Sequence, residues 1–185
     1  MSESGTAGGP PWHLRRLTAA DAAEYQALRM DGITRSPRRF RVAAEDEAGL
    51  ALEAVAARLA ATYVVGGFDH HGLVGIGGLT RYDGAKLRHR ALLWGMYVHE
   101  RARGRGLADA IVRELLAEGA RQRVEQVVLT VVAENARARR LYERWGFTLY
   151  GIEPRALKLA DGECLDEALM VCALPPPAVD SRRAL

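Results

Sequence analysis

An α/β fold, with a mixed sheet covered by helices on both faces, is predicted by three features of the sequence. The first is an apolar and aromatic run, Leu92-Leu93-Trp94-Gly95-Met96-Tyr97-Val98, that passes through a glycine-rich basic turn into a helix-periodic segment. The second is the continuous apolar run Val127 to Val132, which suits a strand buried on both faces and leads at once into another helical segment. The third is a pair of turn signals, Asp69-His70-His71-Gly72 and Asp161-Gly162, each set between strand-like runs.

The elements follow in order. Trp12 to Leu17 reads as the first strand. Thr18-Ala19-Ala20-Asp21 has capping-box spacing, with Asp where Glu or Gln is usual, and opens a helix through about Met30. Asp31 to Ala44 reads as a loop punctuated by Gly32 and Pro37, and Ala48, Leu52, Val55 and Leu59 mark one further helix. Thr62 to Phe68 and Leu73 to Tyr82 form a hairpin, and the strand Leu92 to Val98 follows. Beyond the turn, Leu107, Ile111, Val112, Leu115 and Leu116 form the stripe of an amphipathic helix. After Val127 to Val132, Asn135 stands at an N-cap position. Ala138, Leu141, Tyr142 and Trp145 then share one helical face, and Gly146 fits the C′ position that closes the helix. Two last strands flank Asp161-Gly162. Residues 1–11 and the Pro175-Pro176-Pro177 tail to Leu185 read as flexible ends around a single domain, 12–174, without internal repeats.

A chain of 185 residues suits one domain with a sizeable core. The formal net charge of +3 is too small to argue for nucleic acid, and the basic residues are almost all arginine, Lys86 and Lys158 being the lysines. Cys164 and Cys172 are too few for a disulfide framework and lack metal-ligand spacing, so reduced thiols in the cytoplasm are expected, and no metal. No apolar run is long enough to cross a membrane, and the start of the chain lacks the apolar core of a signal peptide.

The turn Arg101-Ala102-Arg103-Gly104-Arg105-Gly106 carries the chemistry. Glycines let backbone N–H groups come close to a ligand, and the helix that follows presents the positive end of its dipole. Three arginines add planar donor forks suited to phosphate. A Walker-type loop is excluded, because no Lys-Ser or Lys-Thr pair occurs. A dinucleotide fingerprint is excluded as well, because Asp109 stands where its third glycine belongs. In the second segment, Asn135 reads either as a cap or as a ligand residue, and Tyr142 either as a core aromatic or as a site residue.

Taken together, Arg101-x-x-Gly104-x-Gly106 and Asn135 through Phe147, with its Leu-Tyr pair and Gly-Phe ending, resemble the GNAT superfamily of acetyl-coenzyme A-dependent N-acetyltransferases. The resemblance extends from about Trp12 to Ala173, with its sharp motifs in residues 96–147. It implies a mixed, mostly antiparallel sheet whose two central parallel strands, Leu92–Val98 and Val127–Val132, splay apart around the pantetheine arm. Backbone groups of Met96, Tyr97 and Val98 would bind that arm, and Gly95 suits a bulge there. An N–H near Tyr97 or Val98 would polarise the thioester carbonyl. The pyrophosphate would rest on Arg103, Gly104, Arg105, Gly106, Leu107 and Ala108, with Asn135 as a further coenzyme contact. Tyr142 matches the family tyrosine that protonates the leaving thiolate. The implied partners are acetyl-coenzyme A and a small-molecule or peptide amine, in a monomer or homodimer, with no nucleic acid or membrane.

The general base is the gap in this reading. The first central strand offers no carboxylate, and the second has Thr130 where a base would stand. Glu100, Glu134, Asp166 and Glu167 are the nearest candidates, and each reads first as a solvated surface group. A water chain to bulk solvent is an equal alternative, and His99 reads as a turn histidine. Arg35-Ser36-Pro37-Arg38-Arg39-Phe40-Arg41 reads as a solvated loop, with an acidic acceptor as its functional alternative. The competing class for the whole chain is a non-catalytic acyl-coenzyme A sensor.

Overall fold

A computed structural model describes residues 10–175. The tails expected at 1–11 and 175–185 therefore lie, apart from Pro10, Pro11 and Pro175, outside the described residues. The seven strands are β1 (His13–Arg16), β2 (Tyr63–Asp69), β3 (Gly72–Arg81), β4 (Arg90–Val98), β5 (Gln126–Val132), β6 (Thr148–Lys158) and β7 (Cys164–Ala173). They form one sheet in the order β1-β2-β3-β4-β5-β7-β6. Every neighbouring pair is antiparallel except β4 and β5.

That exception positions the site. β4 and β5 pair only from Arg90 opposite Gln126 to Leu92 opposite Val128. β4 continues to Val98 and β5 to Val132 with no further pairing between them. The two strands therefore part like a wedge, leaving backbone groups of Leu93 to Val98 without a partner strand on that side. The bend is built into the sequence. Gly95 has φ +66°, a left-handed conformation that glycine adopts without steric cost. The β3–β4 register shifts between Ile76 and Gly78, so β4 holds one extra residue there as a bulge.

Helices cover both faces. α1 (Ala22–Arg35), α2 (Ala44–Ala48) and α3 (Leu52–Ala61) lie over a core of Leu17, Tyr25, Leu28, Val55, Leu59 and Ile76. α4 (Leu107–Arg121) and α5 (Ala136–Arg144) lie over the other, where Leu107, Ile111 and Leu115 meet Leu93, Leu129 and Met170. The Thr18–Asp21 capping box forms, with the Thr18 N–H donating to Asp21 at 2.7 Å. Gly146 closes α5 with φ +82°.

Two segments depart from the sequence reading. The first helix runs on through Arg35 instead of ending near Met30. Gly32 acts there as a packing position, since a Cβ at this point would stand 2.9 Å from the Phe40 ring and 3.0 Å from that of Tyr97. The single helix expected over Ala48–Leu59 is two, because Gly49 caps the end of α2 and α3 begins at Leu52.

Candidate active site

The space between the parted strands opens into a cavity of about 620 Å³. One wall is β4 from Leu92 to Val98, the other Thr130, Val131 and Val132 of β5. Gly104, Gly106 and Ala108 lie at one end, and Phe40, Arg41 and Glu167 also line it.

The glycine turn is shaped by its two glycines, Gly104 at φ +74° and Gly106 at φ +78°. Gly106 is the N-cap of α4, and the first bond of the helix ladder runs from the Ala110 N–H to the Gly106 carbonyl. The N–H groups of Leu107, Ala108 and Asp109 precede that bond, as helix-initial donors do, and favour an anion. The Leu107 side chain is buried in the core, so only its backbone is free to serve the site. Arg103 folds back, its Nε donating to the Val98 carbonyl at 2.9 Å. Arg105 is exposed and does not line the cavity, and its carbonyl accepts from the Trp12 indole N–H at 3.0 Å. Asp109 is held by the Arg144 guanidinium at 2.9 Å and the Trp145 N–H at 3.0 Å, which ties α4 to α5 and offsets its charge beside the turn.

Asn135 caps α5 and also lines the cavity. Its Oδ1 accepts from the Ala138 N–H at 3.2 Å. Tyr142 lines the same cavity, buried, with its ring edge-on to Phe147 at 5.7 Å between centroids. Burial pushes its phenol pKa up, so the hydroxyl stays protonated at neutral pH. The side chain of Tyr97 takes another path, its hydroxyl donating to Asp31 at 2.8 Å. Burial and that bond push its pKa up to about 12.

The carboxylate missing from the central strands comes from β7. Glu167 pairs in register with Val132, lines the cavity and is 1% exposed, which corrects its reading as a solvated group. Its Oε2 lies 3.3 Å from Arg41 Nη2, within ion-pair distance, yet has no hydrogen-bond partner among the described residues. Burial raises its pKa, opposed by the charge of Arg41. The pattern carried no signal for this, because β7 alternates Asp166 outward and Glu167 inward, and either could face solvent until its register against β5 was fixed. The other three candidates are exposed and occupied elsewhere: Glu100 pairs with Arg35, Glu134 with Arg38, and Asp166 accepts from the Arg155 N–H. His99 caps the turn, accepting from the Arg101 N–H at 3.3 Å.

The basic segment also divides. Arg35 is held by Asp31 and Glu100, and Arg38 by Glu163 and Glu134, all exposed pairs. Arg39 and Arg41 are exposed, as the solvated-loop reading expects, and also line the cavity. Arg29 reaches the cavity from α1 but is buried, its guanidinium forked onto Glu47 at 2.8 and 2.9 Å. Among the described residues no helix is long and apolar enough to cross a membrane, and no cluster of three or more His, Cys, Asp or Glu side chains could hold a metal ion.

Known proteins match this architecture. Residues 27–147 match the acetyltransferase (GNAT) family, more than half of the chain. An acetyltransferase of the GNAT family from Streptococcus pneumoniae superposes with a TM-score of 0.79 at 20% identity, covering 89% of this chain and 99% of that one. A ribosomal-protein-alanine N-acetyltransferase from Brucella melitensis gives a TM-score of 0.75 at 23% identity, over 88% and 99%. A putative acetyltransferase from Salmonella typhimurium, solved with its cofactor acetyl-CoA, gives 0.75 at 19%, over 91% and 97%. No curated protein matches in sequence. With a parted β4–β5 pair, a glycine turn at the head of α4 and a family match that spans both, the chain belongs to the GNAT family of acetyltransferases.

Proposed function

We propose that the protein is an N-acetyltransferase that moves the acetyl group of acetyl-CoA to a primary amine by direct attack in a ternary complex. One observation carries this reading: a buried phenol, Tyr142, and a buried carboxylate, Glu167, line one cavity between the parted strands. The donor lies with its pyrophosphate on the turn at 103–108 and its pantetheine along Met96, Tyr97 and Val98, with Asn135 beside it. The free β4 edge and the open N-terminus of α4 suit those two parts of the donor.

A primary alkylammonium has a pKa near ~10.4 and cannot attack until it loses a proton. Glu167 takes that proton. The amine nitrogen then bonds to the thioester carbon, and an N–H in the Met96–Val98 stretch stabilises the oxyanion. The C–S bond breaks, and the thiolate takes the Tyr142 proton. The second ammonium proton leaves the adduct and restores Tyr142, so one proton in total passes through Glu167 to solvent. The sensor alternative drew weak support from the missing carboxylate of the two central strands, and the buried Glu167 on β7 weighs against it.

Thiol release from acetyl-CoA with a panel of amines tests the reading directly, alongside the melting shift produced by acetyl-CoA alone. Binding should stabilise the protein increasingly with donor concentration. Binding without release for any amine would favour the sensor, and neither signal would end the proposal. A single catalytic unit over 12–174, monomeric or dimeric, in a reducing cytoplasm that keeps Cys164 and Cys172 as free thiols, completes the reading.

A further inference from the structure

The charged groups on the side of the cavity that holds Glu167 are arranged in an informative way. Three arginines reach it: Arg29, Arg39 and Arg41. Arg29 is neutralised by its fork onto Glu47, itself 1% exposed. Arg39 forms no ion pair among the described residues. Arg41 has only the loose contact to Glu167 and a 3.4 Å hydrogen bond to the Thr130 hydroxyl. Arg41 therefore stands beside one buried carboxylate, Glu167, whose register neighbour on β6 is Glu153, while Arg39 keeps a cationic donor free at the cavity's rim. A simple alkylammonium entering to meet Glu167 also meets the Arg41 guanidinium beside it, a like charge at close range.

We infer that the acceptor is a zwitterion, a free α-amino acid, whose ammonium is held by Glu167 and whose carboxylate is held by Arg41 and Arg39. This rests on the acetyltransferase reading above. Two features of the site support it. Among the described residues the buried Glu167 Oε2 has no hydrogen-bond partner, and an ammonium N–H would satisfy it. Arg41 Nη2 lies only 3.3 Å from that oxygen, so the two charges on the acceptor must also be close neighbours, as they are on either side of one α-carbon. The acceptor enters by exchange: the Arg41–Glu167 contact opens, and each member gains a charge-assisted partner with better geometry. A peptide N-terminus has the ammonium but an amide in place of the carboxylate, and it leaves both arginines unmatched.

The test compares three acceptor sets at saturating acetyl-CoA: free amino acids, their carboxamides, and the amines left when the carboxylate is removed. Wild-type kcat/KM should be highest for free amino acids. Arg39→Gln and Arg41→Gln should raise KM for them by roughly ten- to a hundred-fold, the range for losing a charge-assisted hydrogen bond. The same variants should improve kcat/KM for the decarboxylated amines, because a repelling cation is gone. The acetyl-CoA melting shift verifies that each variant is folded. Wild-type turnover that favours amides or simple amines, or variants that change all three sets alike, would overturn the zwitterion assignment and leave acetyl transfer standing. Absence of both thiol release and a melting shift would overturn the acetyltransferase reading, and this inference with it.

Discussion

Replacing Glu167 by Gln removes the proton acceptor while keeping the side chain's shape. At neutral pH an alkylamine of pKa ~10.4 is unprotonated in about one molecule in 2,500. Without Glu167 the reaction draws on that fraction, and loss of a general base costs about 10²–10⁴-fold in rate. The variant should recover about tenfold per pH unit as the free amine titrates. The wild type should instead show an acid limb, falling as Glu167 is protonated. Burial raises that pKa above its usual value of 4.5, so the limb lies above the ordinary carboxylate range. Arg41 opposes the rise, so Arg41→Gln should move the limb to still higher pH. Folding is not at risk, since an amide replaces a desolvated charge, and the melting temperature should hold or increase. The assay is single-turnover thiol release at saturating acetyl-CoA across the pH range. A Gln variant that matches the wild-type profile at every pH would falsify the assignment of Glu167 as base.

Three other outcomes are expected. Tyr142→Phe should slow thiol release about 10²–10⁴-fold with donor affinity nearly unchanged, and full activity where chemistry limits the rate would reduce Tyr142 to a packing residue. Gly106→Val should abolish the acetyl-CoA melting shift. No neighbour stands within 4 Å of a Cβ there, so the damage comes from forcing a β-branched residue to φ +78°, a cost of roughly 1–2 kcal/mol or more that reshapes the turn; an unaltered shift would refute it. Glu47→Ala should destabilise the fold by about 3–5 kcal/mol in urea titrations, because Arg29 is left buried and unpaired. Burial raises the Glu47 pKa, but the Arg29 fork and the Arg58 charge outweigh it and the group titrates low. Its contribution is thus present above the unfolded-state pKa and lost as pH falls through the lower folded value. A variant equally stable to wild type at neutral pH would contradict this role.

What was legible in the sequence was what short spacings encode. Glycines next to arginines at the end of an apolar run specify a turn and a helix start. Asn135 and Gly146 mark the two ends of α5, and Gly95 within a strand marks a bulge. Each depends on contacts within a few residues, so the local pattern suffices. The end of α1 was misread for the complementary reason. Gly32 has low helix propensity, and what keeps it helical is close packing against Phe40 and Tyr97, the latter 65 positions away.

The sequence by itself determined the fold class, the glycine turn at the head of α4 and the segment that holds Asn135 and Tyr142. Only the tertiary structure decided which charged residues reach the cavity from β7 and from the loop after α1. Glu167 becomes a buried cavity residue through the pairing of β7 with β5, a register in which a slip of one position would have pointed Asp166 inward instead. Arg39 and Arg41 face the same space because α1 carries their loop across the sheet to it, while Arg35 and Arg38, close by in sequence, are claimed by distant carboxylates. The glycine turn at the head of α4 is made by one stretch of chain and shows in its residues. A cavity wall assembled from a helix-end loop and a strand more than a hundred residues apart is set by long-range pairing, which one-dimensional periodicity does not record.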